Sequence, residues 1–123
     1  LNKYRVRDRC YFNLNGVIVA IYMREDLNDT KSLLSLNVAG NSPELGDLCK
    51  KYDFKYLCVS LKVLNKAFVD SIHNYSISTP VFVHSYPVQT EAEWQKMLDM
   101  GVDVIQTDYP EALMNFLQER GLR

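Results

Sequence analysis

The chain has 123 residues, 47% of them hydrophobic, which is enough for one domain with its own core and too short for two ordinary ones. Its formal net charge is −1 with Lys and Arg scattered along it, so the basic footprint of a nucleic-acid or anionic-membrane binder is missing. The apolar run that begins Val17 to Tyr22 is far short of the roughly 20 residues that span a bilayer. Three cysteines, Cys10, Cys49 and Cys58, have no CxxC spacing and suit neither a disulfide framework nor a zinc site. Cys49 and Cys58 read as small buried hydrophobes, and one pairing among the three stays open. The start, Leu1-Asn2-Lys3, is not a signal peptide, and without an initiator Met it suggests an excised or processed piece.

In chain order, Tyr4 to Phe12 and Val17 to Met23 are rich in Tyr, Val, Ile and Phe and flank Asn13-Leu14-Asn15-Gly16. Asn-Gly supplies the positive φ of a tight turn, which predicts a β-hairpin. A polar loop, Arg24 to Asp29, follows; its carboxylates Glu25, Asp26 and Asp29 lack the fixed spacing of a hard-cation loop. Ser32 to Ala39 reads as a strand. Ser42-Pro43-Glu44 reads as a helix start with the Ser hydroxyl as cap, and Leu45, Leu48, Cys49 and Tyr52 fall on one helical face. Tyr56 to Leu61 is the next strand, and Leu64 to His73 the next helix, with Asn65 as its cap.

Pro80 to Tyr86 is a strand opened by proline. Thr90-Glu91-Ala92-Glu93 is a capping box, Trp94, Met97 and Leu98 form the buried face of the helix it starts, and Gly101 ends that helix. Val102 to Thr107 is a strand, and Pro110 begins a last helix packed through Ala112, Leu113, Phe116 and Leu117. Residues 1–31 thus read as hairpin and polar loop, and residues 32–123 as four consecutive βα units, within one compact domain. The fold class is α/β with a parallel sheet, either half of a (β/α)₈ barrel or a small open doubly wound sheet; periodicity does not separate the two. No Gly-rich phosphate loop follows any strand, which removes the commonest functions of open sheets.

Reactive or binding groups of such folds collect at the carboxyl ends of the strands. Those positions hold Asn37, Asn41, Ser60, Lys62, His84, Ser85, Tyr86, Thr107, Asp108 and Tyr109. Lys62 as charge partner and His84 as donor would suit a phosphate or phosphodiester. Against this, a single strand His is more often structural, and Asp108 before Tyr109-Pro110 is expected first as a helix cap. Asp103, at a strand start, reads as structural, and His73 as a carbonyl cap or a solvent-facing residue. No nucleophile and base pair up by spacing.

The stretch GVDVIQTDYP, Gly101 to Pro110, resembles the closing unit of the glycerophosphodiester phosphodiesterase barrel. Leu64 to Val69 and Val81-Phe82-Val83-His84 are similar to elements that precede that unit, so the likeness runs from Leu57 to Leu117. The resemblance implies a (β/α)₈ TIM-type barrel and hydrolysis of glycerophosphodiesters to glycerol 3-phosphate and an alcohol, with calcium or magnesium in a complete domain. It implies His84 and Tyr86 as lining of the glycerol or alcohol side and Asp108 as a rim residue. With Lys62, these are the candidate substrate-binding residues. The family's His-Arg-Gly, Glu-x-Asp and His-Asp motifs do not occur in these residues, so no metal ligand and no general acid or base carries over. The chain alone is then expected to be inactive, with a missing N-terminal half, a partner chain or a second copy completing it. The alternatives are a non-catalytic ligand-binding or self-association module and, last, an unrelated open-sheet enzyme using His84, Lys62 and Asp108.

Overall fold

A computed structural model describes residues 10–42, 44–75 and 82–123. Five strands alternate with five helices: β1 (Tyr11–Leu14), α1 (Val17–Ile21, running on into a π-helical turn, Tyr22–Asp26), β2 (Leu33–Val38), α2 (Leu45–Tyr52), β3 (Phe54–Ser60), α3 (Lys66–Asn74), β4 (Phe82–Tyr86), α4 (Glu91–Met100), β5 (Val104–Ile105) and α5 (Pro110–Glu119). All four strand pairings are parallel, and the spatial order is the sequence order, β1-β2-β3-β4-β5. That order answers the question left open by periodicity. Right-handed crossovers between successive neighbours put every helix on one face of the sheet, whereas a doubly wound sheet reverses its order to cover both. The architecture is a segment of barrel wall.

The expected hairpin is not there. β1 pairs with β2 in parallel, Tyr11 opposite Leu33 and Leu14 opposite Leu36, and Val17–Ile21 is helix instead of return strand. A parallel neighbour forces the chain to cross back over the sheet, and a helix is the means of crossing. The same topology overrides the β-branched bias of Val17, Ile18 and Val19. Gly16 is the cap of this helix, with extended backbone (φ −175°), and not a turn residue. The described residues therefore form five βα units, the first standing where the hairpin was expected. The portion of the hairpin before Cys10, like Pro43, Pro80 and Val81, lies outside the described residues.

The later elements follow their local signals. Thr90 Oγ1 accepts from the Glu93 amide at 3.2 Å, and the Glu93 carboxylate accepts from the Thr90 amide at 3.1 Å and from that of Gln89 at 2.7 Å. Gly101 takes the left-handed conformation (φ 79°) and stops α4. Asn65 caps α3 by accepting from the Phe68 amide, and Pro110 opens α5. Ser42 does not cap α2: the cap position is Glu44, and Ser42 gives its carbonyl to the Leu45 amide.

The core lies between helices and sheet. Leu34, Leu36, Leu57, Val59 and Val83 pack against Cys49, Phe68, Val69, Ile72, Trp94, Met97 and Phe116. Trp94 and Phe116 meet edge to face at 5.5 Å, and the indole N–H donates to the Val88 carbonyl. Burying such side chains contributes about 1.5–3 kcal/mol each. In the loop after α1, Arg24 donates to the carbonyls of Tyr52, Asp29, Ser32 and Asp53, holding the left-handed Asp53 (φ 53°) between α2 and β3. Asp29 accepts from the amides of Lys31 and Ser32 and from the Ser32 hydroxyl, so this carboxylate organises its own turn.

Candidate functional site

Side chains alternate across a strand. With the helix-facing set fixed by the core, the other set is Tyr11 and Asn13 on β1, Ser35 and Asn37 on β2, Tyr56, Cys58 and Ser60 on β3, and Phe82, His84 and Tyr86 on β4. The registers place Asn13 beside Ser35, Asn37 beside Cys58, Cys58 beside His84, and Ser60 beside Tyr86. This second face is layered along the strands. At the amino end it is aromatic: Tyr11 stacks on Tyr56 at 4.5 Å, and Tyr56 meets Phe82 at 5.6 Å. At the carboxyl end it is polar and recessed.

Two adjoining hollows lie there. One, of about 220 Å³, is lined by Asn13, Asn37, Cys58, Tyr86 and Gln106. The other, of about 290 Å³, is lined by Asn15, Asn37, Val38, Ala39 and Tyr86. Asn37 and Tyr86 are common to both. Asn37 Nδ2 donates to Asn15 Oδ1 at 2.9 Å, while its own Oδ1 is buried and makes no hydrogen bond among the described residues.

The four candidate side chains do not converge. Tyr86 lines both hollows. His84 is buried within β4, 5% exposed, one layer below the rim; Tyr11 Oη lies 3.2 Å from its Nδ1, and Gln106 hydrogen-bonds its ring. Burial pushes the imidazole below its ordinary pKa, the Gln106 bond opposing, so His84 is neutral at pH 7. Lys62 is exposed in the turn after β3, its amide 3.3 Å from Ser60 Oγ. Asp108 does not cap α5, whose cap is Tyr109 with no side-chain bond. Instead Asp108 is held by Gln89, which donates to its Oδ2 at 2.5 Å and accepts from its amide at 2.9 Å. It faces a separate shallow hollow with Tyr109, Pro110, Glu111 and Ala112.

At the opposite end of the sheet, His73 does not cap its own helix. Its Nε2 lies 2.7 Å from Asp103 Oδ2, which also accepts from the Val83 amide at 2.7 Å. Asp103 is thus structural, as its place at a strand start implies. The three cysteines are free, Cys10 exposed and the other two buried. Burial pushes the Cys58 thiol up to about 11 and the Cys49 thiol up to about 12.

Asn13 and Gln106 are rim residues that the sequence did not mark. Asn13 looked like turn chemistry, and Gln106 like the end of a longer strand. Their signal is register: once β1 pairs in parallel with β2, Asn13 falls on the face of Asn37 and Cys58.

No protein-family profile and no curated protein matches the chain. Solved structures do. A protein named a glycerophosphoryl diester phosphodiesterase from Silicibacter pomeroyi superposes with TM-score 0.80 at 19% identity, covering 98% of this chain and 41% of that one. The fold of the chain is that of part of a (β/α)₈ barrel. A glycerophosphodiester phosphodiesterase from Galdieria sulphuraria gives TM-score 0.82 at 18% identity over 95% of this chain and 47% of its own. An Oleispira antarctica phosphodiesterase, solved with the product sn-glycerol-3-phosphate, gives 0.72 at 13% over 88% and 41%. The chain spans less than half the length of each of these phosphodiesterases. In such a barrel, the face bearing Asn37 and Tyr86 is the interior side, and its polar end is the rim at the carboxyl ends of the strands.

A divalent cation of the kind expected in a complete domain does not fit the groups gathered here. Calcium and magnesium take hard, largely anionic oxygen ligands. The 220 Å³ hollow offers two Asn, a Gln, a Tyr and a protonated thiol, and among the described residues no three of His, Cys, Asp and Glu come together as ligands.

Proposed function

We propose that this chain forms part of a glycerophosphodiester phosphodiesterase-like protein and supplies the part of its rim that receives the substrate's alcohol side. Hydrolysis to glycerol 3-phosphate and an alcohol needs an acid, a base and a charge-neutralising group. Those functions fall to residues outside this chain, which has no His-Arg-Gly and no Glu-x-Asp. The observation that carries the reading is the sheet face opposite the helical core, which among the described residues is polar and hollow at the carboxyl ends of its strands. On it Tyr86 contacts ligand, His84 positions Gln106 from below, Lys62 offers an exposed cation to a phosphoryl group, and Asp108 with Gln89 shapes the loop after β5.

The test is calcium- or magnesium-dependent release of glycerol 3-phosphate from glycerophosphocholine by the parent gene product, with this chain assayed in parallel. Activity in the parent, and none in the chain alone, is expected. A parent that neither releases product nor binds either cation would refute the enzyme reading. A second reading, a self-association module, is favoured by the outer edges of β1 and β5, each of which has one strand neighbour among the described residues. A solution mass of twice the chain, with no hydrolysis by the parent, would select it.

A further inference from the structure

We infer that Asn15 is a self-modifying site. The Gly16 amide nitrogen closes on the Asn15 side-chain carbonyl and, through a cyclic imide, turns a rim amide into a carboxylate, with Asn37 as the activating donor. The reaction needs no partner but water, so the inference stands apart from any hydrolytic activity of the parent protein.

In the first step a bond forms between Gly16 N and Asn15 Cγ, and the Cγ–Nδ2 bond breaks. The Gly16 amide proton goes to hydroxide, and Nδ2 leaves as ammonia with a proton from water. Water then opens the five-membered imide. Cleavage of the new N–Cγ bond leaves aspartate. Cleavage between the nitrogen and the main-chain carbonyl carbon leaves isoaspartate, whose backbone runs on through Cγ. Nucleophile and electrophile are neighbours on one chain, so little entropy is lost in bringing them together.

Three observations single this residue out among the described asparagines. The attacking residue is glycine: no Cβ shields its nitrogen, and the place where one would stand has nothing within 4 Å. Its amide donates to no backbone carbonyl among the described residues. Asn15 itself is exposed, and its Oδ1 accepts from Asn37 Nδ2 at 2.9 Å. That bond draws electrons from Cγ and steadies the oxyanion of the tetrahedral intermediate, while the departing Nδ2 stays uncommitted.

Other asparagines lack this combination. Asn41 precedes Ser42, which has a Cβ, and its Nδ2 is tied to the Val63 carbonyl at 2.9 Å. After Asn28, the Asp29 amide is already given to the Met23 carbonyl at 2.8 Å. Asn13, Asn37 and Asn115 lie within strands or a helix and precede the bulky Leu14, Val38 and Phe116. The consequence at the rim is one of charge. No carboxylate, His, Lys or Arg lines the 290 Å³ hollow that Asn15 shares with Asn37 and Tyr86, so the product carboxylate is the first charge on that wall. Isoaspartate also adds a carbon to the main chain between β1 and α1.

The purified chain, aged in mildly alkaline buffer and digested, is mapped by mass spectrometry for the mass difference between an acid and its amide. The gain should come first at Asn15, as a mixture of aspartate and isoaspartate. Gly16→Ala meets nothing within 4 Å at an extended φ of −175°, so it fits the fold and should hold Asn15 to the slow rate of Asn41. Asn37→Ala and Asn37→Asp, both without the donor, should each slow the gain about twofold to tenfold, the worth of one hydrogen bond in the transition state. No gain at Asn15, a gain as fast at Asn41, or an Asn15 rate unmoved in Gly16→Ala or in either Asn37 variant would each overturn the inference.

Discussion

Asp103 holds two elements through one oxygen, and its removal has a cost that the structure lets us work out. Its Oδ2 accepts from the Val83 amide and from His73 Nε2, both at 2.7 Å, and its own amide donates to the Val83 carbonyl at 2.9 Å. Val83 is fully buried, so Asp103→Ala leaves its N–H without this acceptor, at about 1–3 kcal/mol. The His73 contact is about a third exposed on both sides and adds roughly 0.2–1 kcal/mol at most. Together these come to about 1–4 kcal/mol. Against a urea dependence of about 2 kcal/mol per molar, that lowers the unfolding midpoint by roughly 0.5–2 M. Asp103→Asn keeps a neutral acceptor for Val83 and should lose under about 1 kcal/mol. Urea titration of the three proteins, with hydrogen exchange at the Val83 amide, gives the comparison. Equal midpoints for Asp103→Ala and Asp103→Asn, or unchanged exchange at Val83 in the Ala variant, would show that the carboxylate does not carry this amide.

Three further outcomes are expected. Thr90→Ala should cost about 1 kcal/mol by uncapping α4, and Thr90→Ser should restore most of it. In the same box the Gln89 and Thr90 amides hold the Glu93 carboxyl below its usual range. A depressed folded pKa means stability present above the unfolded value and lost as pH falls through the folded one, so Glu93→Gln should flatten the loss of stability below about pH 4.5. Thiol titration with a disulfide reagent at pH 8 should find one fast group, Cys10, with Cys49 and Cys58 reacting only on unfolding, because burial raises both pKa values to 11 or above. Three fast thiols would mean that the sheet opens readily under native conditions.

What the sequence disclosed tracks how local each signal is. The α4 capping box and the Gly101 stop are read from residues three apart or fewer, and both form as written. The amphipathic faces of α3 and α4 likewise survive into the core, Phe68, Val69 and Ile72 in one and Trp94 and Met97 in the other. The first unit was misread because VIVAIYM is apolar on every side and β-branched, so neither period shows, and Asn15-Gly16 carries the composition of a hairpin turn. The parallel partner that decides its conformation lies some twenty residues away. The expected Asp108 cap failed for the same reason: the partner of Asp108 is Gln89, across a loop from it, and no spacing rule names that pair. The rim was half legible. Asn37 and Tyr86 follow from strand ends, whereas Asn13 and Gln106 need the register.

The strand order also governs how the chain comes apart. Because each βα unit touches the units beside it in sequence and no strand is inserted between distant neighbours, the sheet behaves thermodynamically as a row of coupled units. Opening of the described sheet at β5, two residues long and bonded only to β4 among the described residues, therefore breaks one strand interface and leaves the other three in place.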